Sequence, residues 1–364
     1  MVKLGFALYP EGYDLQEIKD YIDLLAKQGS ERVFMSLLQL LGADTTTFEH
    51  YRRVIAYCNQ KSLLVFADLN PELIDFLGWK DNLLEKAQAF GLSGIRLDEV
   101  FGGIDYLVDL SHQASAIKIE LNMSGNPTLI QALVAKGANL QQITACHNFY
   151  PHRLTGLSTD YFLRVSKIYK NLGIETAAFI NAKSAEIGPW PVKEGLCTLE
   201  AHRHSSINAQ WKWLKASHVI DHVIIANQFI SKEELISLSS SPVPELSVSL
   251  NESISPIEQA IVKELHYYRG EVSDYVVRST GHRAKYQRET IPLLFQDKQV
   301  DRGAILIDNS LYPHYCGELQ IALKSFGVDD KVNIVGHVVE DDLALLELLQ
   351  PWTHFKLVIK DAGK

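Results

Sequence analysis

Apolar residues along this chain fall into short runs, separated by segments in which they recur every three or four positions. In the first 240 residues eight such runs read as strands: 3–10, 32–37, 62–69, 93–99, 117–124, 143–150, 174–181 and 221–227. Several are continuous rather than alternating, the pattern of parallel strands covered on both faces. Helix signals lie between them. Asp14 and Glu17 form a capping-box pattern ahead of Ile18, Tyr21, Ile22 and Leu25, which share one helical face. Ser158 opens a helix that Gly173 closes, and Ser231 with Glu234 repeats the capping pattern after the eighth run. Eight strand–helix pairs predict an α/β fold, a (β/α)8 TIM barrel over residues 1–240. A doubly wound open sheet is the alternative, and the first run is followed by no GxGxxG.

After the barrel the pattern changes. Residues 241–256 are rich in Ser and Pro and read as a linker. Residues 257–364 carry β-like runs at 272–279, 304–310, 318–326, 331–339 and 354–359, which predict a small β-rich second domain.

Charge narrows the partners. The 364 residues carry a formal net charge of -9, which argues against nucleic acid and anionic membranes. No apolar run reaches the roughly 18 residues of a membrane span, and the N-terminus lacks a signal-peptide core. The four cysteines show no CxxC spacing, so neither a disulfide framework nor a zinc knuckle is expected. A cytoplasmic location is the simplest expectation.

In a barrel, chemistry sits at the C-terminal ends of the strands. Those ends are polar here: Tyr9, Ser36, Asp68, Asp98, Asn122, His147, Asn148 and Asn227. Asp68 and Asp98 end adjacent strands and could face each other as a carboxylate pair; pairing with Arg96, or a cap, is the structural alternative. Glu120 lies deeper and could tie to Arg96. If His147 points inward, Cys146 points outward, and Tyr150 could stack on a sugar ring. The long segment 181–203 holds a stiff Gly188-Pro189-Trp190-Pro191 turn, then Glu200 and Arg203, either a second carboxylate with its partner or a local ion pair. In the second domain, Arg278 and Arg283 suit an anion, and Asn309, Tyr312, Tyr315, Glu318 and Gln320 are unusual for a plain hairpin, suggesting contact with the barrel mouth. A catalytic metal is not expected: there is no HExxH, and His202 and His204 diverge on a helix.

Several segments in order, LYPEG, FMSLL, IRLDE, CHNFYPHRLTGLS, GPWPVKEGLCTLEAHR, VVRST and ILIDNSLYPHYCGELQI, closely resemble the 6-phospho-N-acetylmuramidases of the MupG type, glycoside hydrolase family 170. The resemblance covers almost the whole chain. It implies a TIM barrel followed by a cyclophilin-like β domain and a cytoplasmic, exo-acting hydrolase of peptidoglycan recycling; no cofactor is expected. Its substrate would be MurNAc 6-phosphate β-1,4-linked to GlcNAc, a small phosphorylated disaccharide. The family usually has Pro where this chain has Cys197, and an aromatic-Gly pair where it has Glu99-Val100. A homodimer is an open assembly.

The leading expectation is a glycosidase with Asp68 and Asp98 as its carboxylates and Glu200 as substitute. Arg96, Asn122, His147, Asn148, Tyr150 and Arg203 would bind substrate, with Arg278, Arg283, Asn309, Tyr312, Tyr315 and Glu318 from the second domain. Retaining, inverting and substrate-assisted paths stay open. The alternatives are another phospho-sugar barrel enzyme, an epimerase or aldolase, and a non-catalytic phospho-sugar sensor.

Overall fold

The computed structural model describes residues 2–97, 102–125, 127–189 and 192–360. The chain divides into two compact units, Met1–Leu238 and Ser239–Lys364.

In the first unit eight parallel strands close into a barrel in chain order. They are β1 (Lys3–Leu8), β2 (Ser30–Ser36), β3 (Leu64–Leu69), β4 (Gly94–Leu97), β5 (Lys118–Asn122), β6 (Ile143–Cys146), β7 (Glu175–Ile180) and β8 (His222–Ile225). β1 seals the barrel against β8, with Phe6 opposite Ile225. The continuous apolar runs have their cause here: one face of each strand fills the barrel and the other meets the helices. Helix Leu15–Lys27 starts at Asp14, whose carboxylate accepts the Gln16 N–H, and buries Ile18, Tyr21, Ile22 and Leu25. Helix Thr159–Asn171 is capped by Ser158 and followed by Gly173 in the left-handed region, as its sequence signals predict.

The barrel interior has an apolar layer and a polar one. Ala7, Tyr9, Phe34, Cys146, Ala177, Phe179 and Ile224 form one core cluster. The Phe179 ring meets Phe34 and Phe149 edge to face, with centres 5.2 and 5.0 Å apart. In the polar layer Arg32 on β2 pairs with Glu120 on β5, both almost fully buried, and the guanidinium lies 3.8 Å from the centre of the Phe66 ring. Glu120 is thus held by Arg32, not by Arg96. A buried charge requires a partner of opposite sign, and Arg32 supplies it.

The second unit contains β9 (Glu245–Leu250), β10 (Leu265–Tyr267), β11 (Val276–Arg278), β12 (Gln299–Val300), β13 (Ala304–Asp308), β14 (Leu319–Ala322), β15 (Phe326–Gly327), β16 (Val332–Val338) and β17 (His354–Ile359). Seven of them form a mixed sheet in the order β10-β17-β9-β16-β13-β14-β11, and β12 pairs with β15. The stretch expected to be a linker, 241–256, contains β9, an interior strand of this sheet. Its Ser/Pro content hid a short alternating run: Leu246 and Val248 are buried, and the Ser247 N–H is capped by Asp342 at 2.6 Å. Near the end of the same stretch, Ser255 forms a full capping box with Glu258 at the start of helix Pro256–Val262. Among the described residues no helix is long and apolar enough to cross a membrane.

Candidate active site

Strand register places Ser36, Asp68, Arg96 and Glu120 side by side across β2 to β5. Arg96 is 3% exposed, and its guanidinium stands 3.5 Å from Asp68 Oδ1 and hydrogen-bonds the Asn148 carboxamide. Asp68 is the more open of the two, at 17% exposed. Three of the expected residues, Asp68, Arg96 and Asn148, therefore converge at the C-terminal end of the barrel. Asp98, the expected partner of Asp68, and Trp190 and Pro191 of the stiff turn lie outside the described residues.

The structure reverses the expected parity of β6. Cys146 faces the barrel core and His147 faces outward, where it is fully buried. Its two ring nitrogens contact Ser166 Oγ at 2.9 Å and Ser124 Oγ at 3.1 Å, and the ring packs 4.7 Å from Phe162. Burial, and then the Arg96 charge, press its pKa down to about 3. His147 is a neutral core histidine, and a substrate contact is excluded by its burial. Ser124 instead links the strand ends, since its hydroxyl accepts the Asn148 N–H at 2.8 Å and its own N–H is taken by Asn122.

Glu200 is a clamp. Its carboxylate accepts the Leu154 and Gly156 N–H groups, both at 2.8 Å, and two Arg203 guanidinium N–H groups at 2.7 and 2.6 Å. These donors, Arg203 first, hold its pKa down to about 2. An acid that gives up its proton so readily cannot serve as proton donor near neutrality. Arg203 also donates to the Tyr150 and Glu194 carbonyls, at 3.0 and 2.9 Å, so it fastens the β6 and β7 loops together. Asn227 is likewise spent on backbone, bonding Ala182 and Ala185.

In the second unit, Arg278 bonds Glu318 through Nε at 2.7 Å, Arg283 lies 3.8 Å from the same carboxylate, and Arg283 sits over the Tyr315 ring. Tyr312 packs on Tyr315, with ring centres 4.7 Å apart. The residues expected together are together, and both arginines already face a carboxylate. Gln320 donates to Asp308 at 3.2 Å, beside Glu318. Burial, then the Glu318 charge, push the Asp308 acid up to about 7. Asn309 is fully buried and bonds Asn333 and the Asp330 carbonyl, so its role is structural.

Two family models match the chain: the N-terminal part of 6-phospho-N-acetylmuramidase over residues 4–240, and its C-terminal part over residues 244–358. The chain belongs to the 6-phospho-N-acetylmuramidase family. It is 35% identical to an uncharacterized B. cereus protein of known structure, with a TM-score of 0.87 over 98% of this chain and 100% of that one. A conserved Enterococcus faecalis protein of unknown function is 25% identical, with a TM-score of 0.73 over 99% of this chain and 97% of that one. The chain matches no curated protein.

A muramidase is a glycosidase, and the barrel of this family member opens into two adjoining clefts at its C-terminal face. One, of about 440 Å³, is lined by Tyr9, Glu11, Tyr13, Gln39 and the loop after β7. The other, of about 420 Å³, is lined by Asn181, Lys183, Asn227 and the same loop. Glu186 and Lys193 border both. Volumes of this size suit a small sugar ligand. Glu11 was missed as a candidate because it follows the strand end by three residues. Its signal was the YPEG turn: the Pro10 carbonyl accepts the Tyr13 N–H at 3.3 Å, with Gly12 at φ 76 supplying the left-handed corner. Among the described residues no group of three or more His, Cys, Asp or Glu is placed to hold a metal.

Proposed function

We propose that this family member hydrolyses MurNAc 6-phosphate-β-1,4-GlcNAc to MurNAc 6-phosphate and GlcNAc, as a cytoplasmic step of peptidoglycan recycling. The observation that carries the reading is the Asp68–Arg96–Asn148 group at the C-terminal face of a closed barrel, in a chain matched along residues 4–358 by muramidase models. A carboxylate beside a guanidinium works in its charged form. Asp68 therefore suits the role of stabilising the oxocarbenium-like transition state, attacking C1 or activating water, with Asp98, the residue that follows β4 in the sequence, as its partner. Lys183 and Lys193 bring positive charge to the cleft wall for the 6-phosphate, balanced in part by Glu186 and Glu194. A local cation of this kind reconciles an anionic substrate with a net charge of -9.

The test is incubation of the purified full chain with the phosphorylated disaccharide, with and without chelator. Chelator-insensitive release of GlcNAc is the expected result. Binding without release would replace the reading by a phospho-sugar sensor, and release only with added metal would overturn the two-carboxylate chemistry.

A further inference from the structure

We propose that Glu11 is the proton donor to the departing sugar oxygen. The inference rests on the glycosidase reading above and adds the acid that reading lacks.

Glu11 is held at the second position of the Pro10–Tyr13 turn and lines the cleft beside Tyr9 and Gln39. Its Oε1 is buried and has no hydrogen-bond partner among the described residues, while its own backbone N–H bonds the carboxyl. Two other carboxylates above the barrel have their oxygens occupied: Glu200 accepts four N–H donors, and Glu234 accepts the Lys183 and Ser184 N–H groups. Glu120 also keeps one buried oxygen without a hydrogen bond, but its other oxygen is paired with Arg32, whereas no ion pair holds Glu11 among the described residues. An oxygen left unsatisfied in a buried site is destabilising unless a ligand completes it. Burial raises the Glu11 acid from its ordinary value, the direction a proton donor needs.

The charged and titratable neighbours leave this intact. From its own segment come Tyr9, whose phenol donates to the Ala226 carbonyl, and Tyr13. The loop after β7 brings Glu186 and Lys193, which pair with each other. His50 on helix Thr45–Gln60 bonds the Pro10 carbonyl. The Tyr9 phenol is raised by burial and then by both Asp68 and Glu11, so both carboxyls lie within electrostatic reach of one ring. Glycoside hydrolysis divides its chemistry between a proton-donating acid and a second carboxylate, and Glu11 and Asp68 are the two carboxyls that reach this ring.

In the step, the Glu11 proton passes to the glycosidic oxygen as the C1–O bond breaks, and GlcNAc leaves as an alcohol. Water then adds to C1, and its proton replaces the one spent on the carboxyl pair, so the sum is hydrolysis.

The experiment compares wild type, Glu11→Gln and Glu11→Asp on the disaccharide and on a 2,4-dinitrophenyl glycoside of MurNAc 6-phosphate, whose leaving group needs no proton. Glu11→Gln is expected to lose about 10²–10⁴-fold in kcat on the disaccharide. It should stay within about tenfold of wild type on the aryl glycoside, and the alkaline limb of its pH profile should vanish. Circular dichroism reports the fold of each variant, and Glu11→Asp, which keeps the acid, should recover part of the lost rate. Equal loss on both substrates by a folded variant would make Glu11 a positioning residue, and no loss on the disaccharide would remove it; either overturns the assignment alone. A wild type inert on both substrates overturns the glycosidase reading and this one with it.

Discussion

Replacing Glu200 by Gln separates a structural carboxylate from a catalytic one. The wild-type group fills its acceptor sites with the Leu154 and Gly156 N–H groups and the Arg203 fork. A glutamine retains one acceptor oxygen, and its NH2 must face donors that are already present. A carboxyl held at about 2, against about 4.3 in an unfolded chain, corresponds to about 3 kcal/mol. The side chain is 27% exposed, so solvent screening removes part of that. Stranding the nearly buried Arg203 charge adds to the loss, and the net expectation is about 2–3 kcal/mol. For a unit of this size that lowers the melting midpoint by roughly 4–12 °C. The folded pKa is depressed, so the stabilisation is full above about pH 5 and is lost as pH falls towards 2. The gap between wild type and variant should therefore close on acidification. Thermal unfolding followed by circular dichroism measures the gap, and GlcNAc release at 20 °C should stay within about tenfold of wild type. An unchanged midpoint with a thousandfold lower kcat would refute the clamp and return Glu200 to the chemistry.

Three further outcomes follow from the same geometry. Asp68→Asn should lower GlcNAc release by about 10³-fold or more while circular dichroism stays native, and near-wild-type turnover would exclude Asp68. Asp308→Asn should stabilise the protein at pH 8 by up to about 4 kcal/mol and leave it unchanged below about pH 4, because a carboxyl raised to about 7 destabilises the fold only once ionised; urea titrations at the two pH values give the difference. His147, held near 3 by burial, should show no imidazole titration by NMR between pH 5 and 8, and the barrel should lose stability as pH falls from about 6.5 towards 3, where the unfolded chain takes up the proton first. A titration midpoint near 6.5 would mean that the ring is open to water.

The residues bracketing each strand were legible in the sequence. The eight apolar runs, the Asp14 and Ser158 caps and the Gly173 stop are local signals, fixed by propensity and capping chemistry, and the structure builds its elements on them. The motifs also carried the family. Which side of a strand faces the barrel was not legible. When both faces are buried, the alternation that normally marks inside from outside disappears, and β6 reads equally well with Cys146 or His147 inward. Closure of the barrel and the pairing of β6 with its neighbours made that choice. It left His147 to the core and gave Asn148 to Arg96.

The roles of the carboxylates were decided in the same way. Asp68, Glu120 and Glu200 play different parts, because residues far along the chain make one a half-buried partner of Arg96, one the buried mate of Arg32, and one a clamp on two loops. Glu11 has no ion pair of that kind among the described residues, and one of its oxygens is buried without a hydrogen bond. The sequence by itself determined the order of the elements and the chemistry available. Only tertiary structure decided which charges meet, because a side chain's protonation and partners depend on residues brought near by folding.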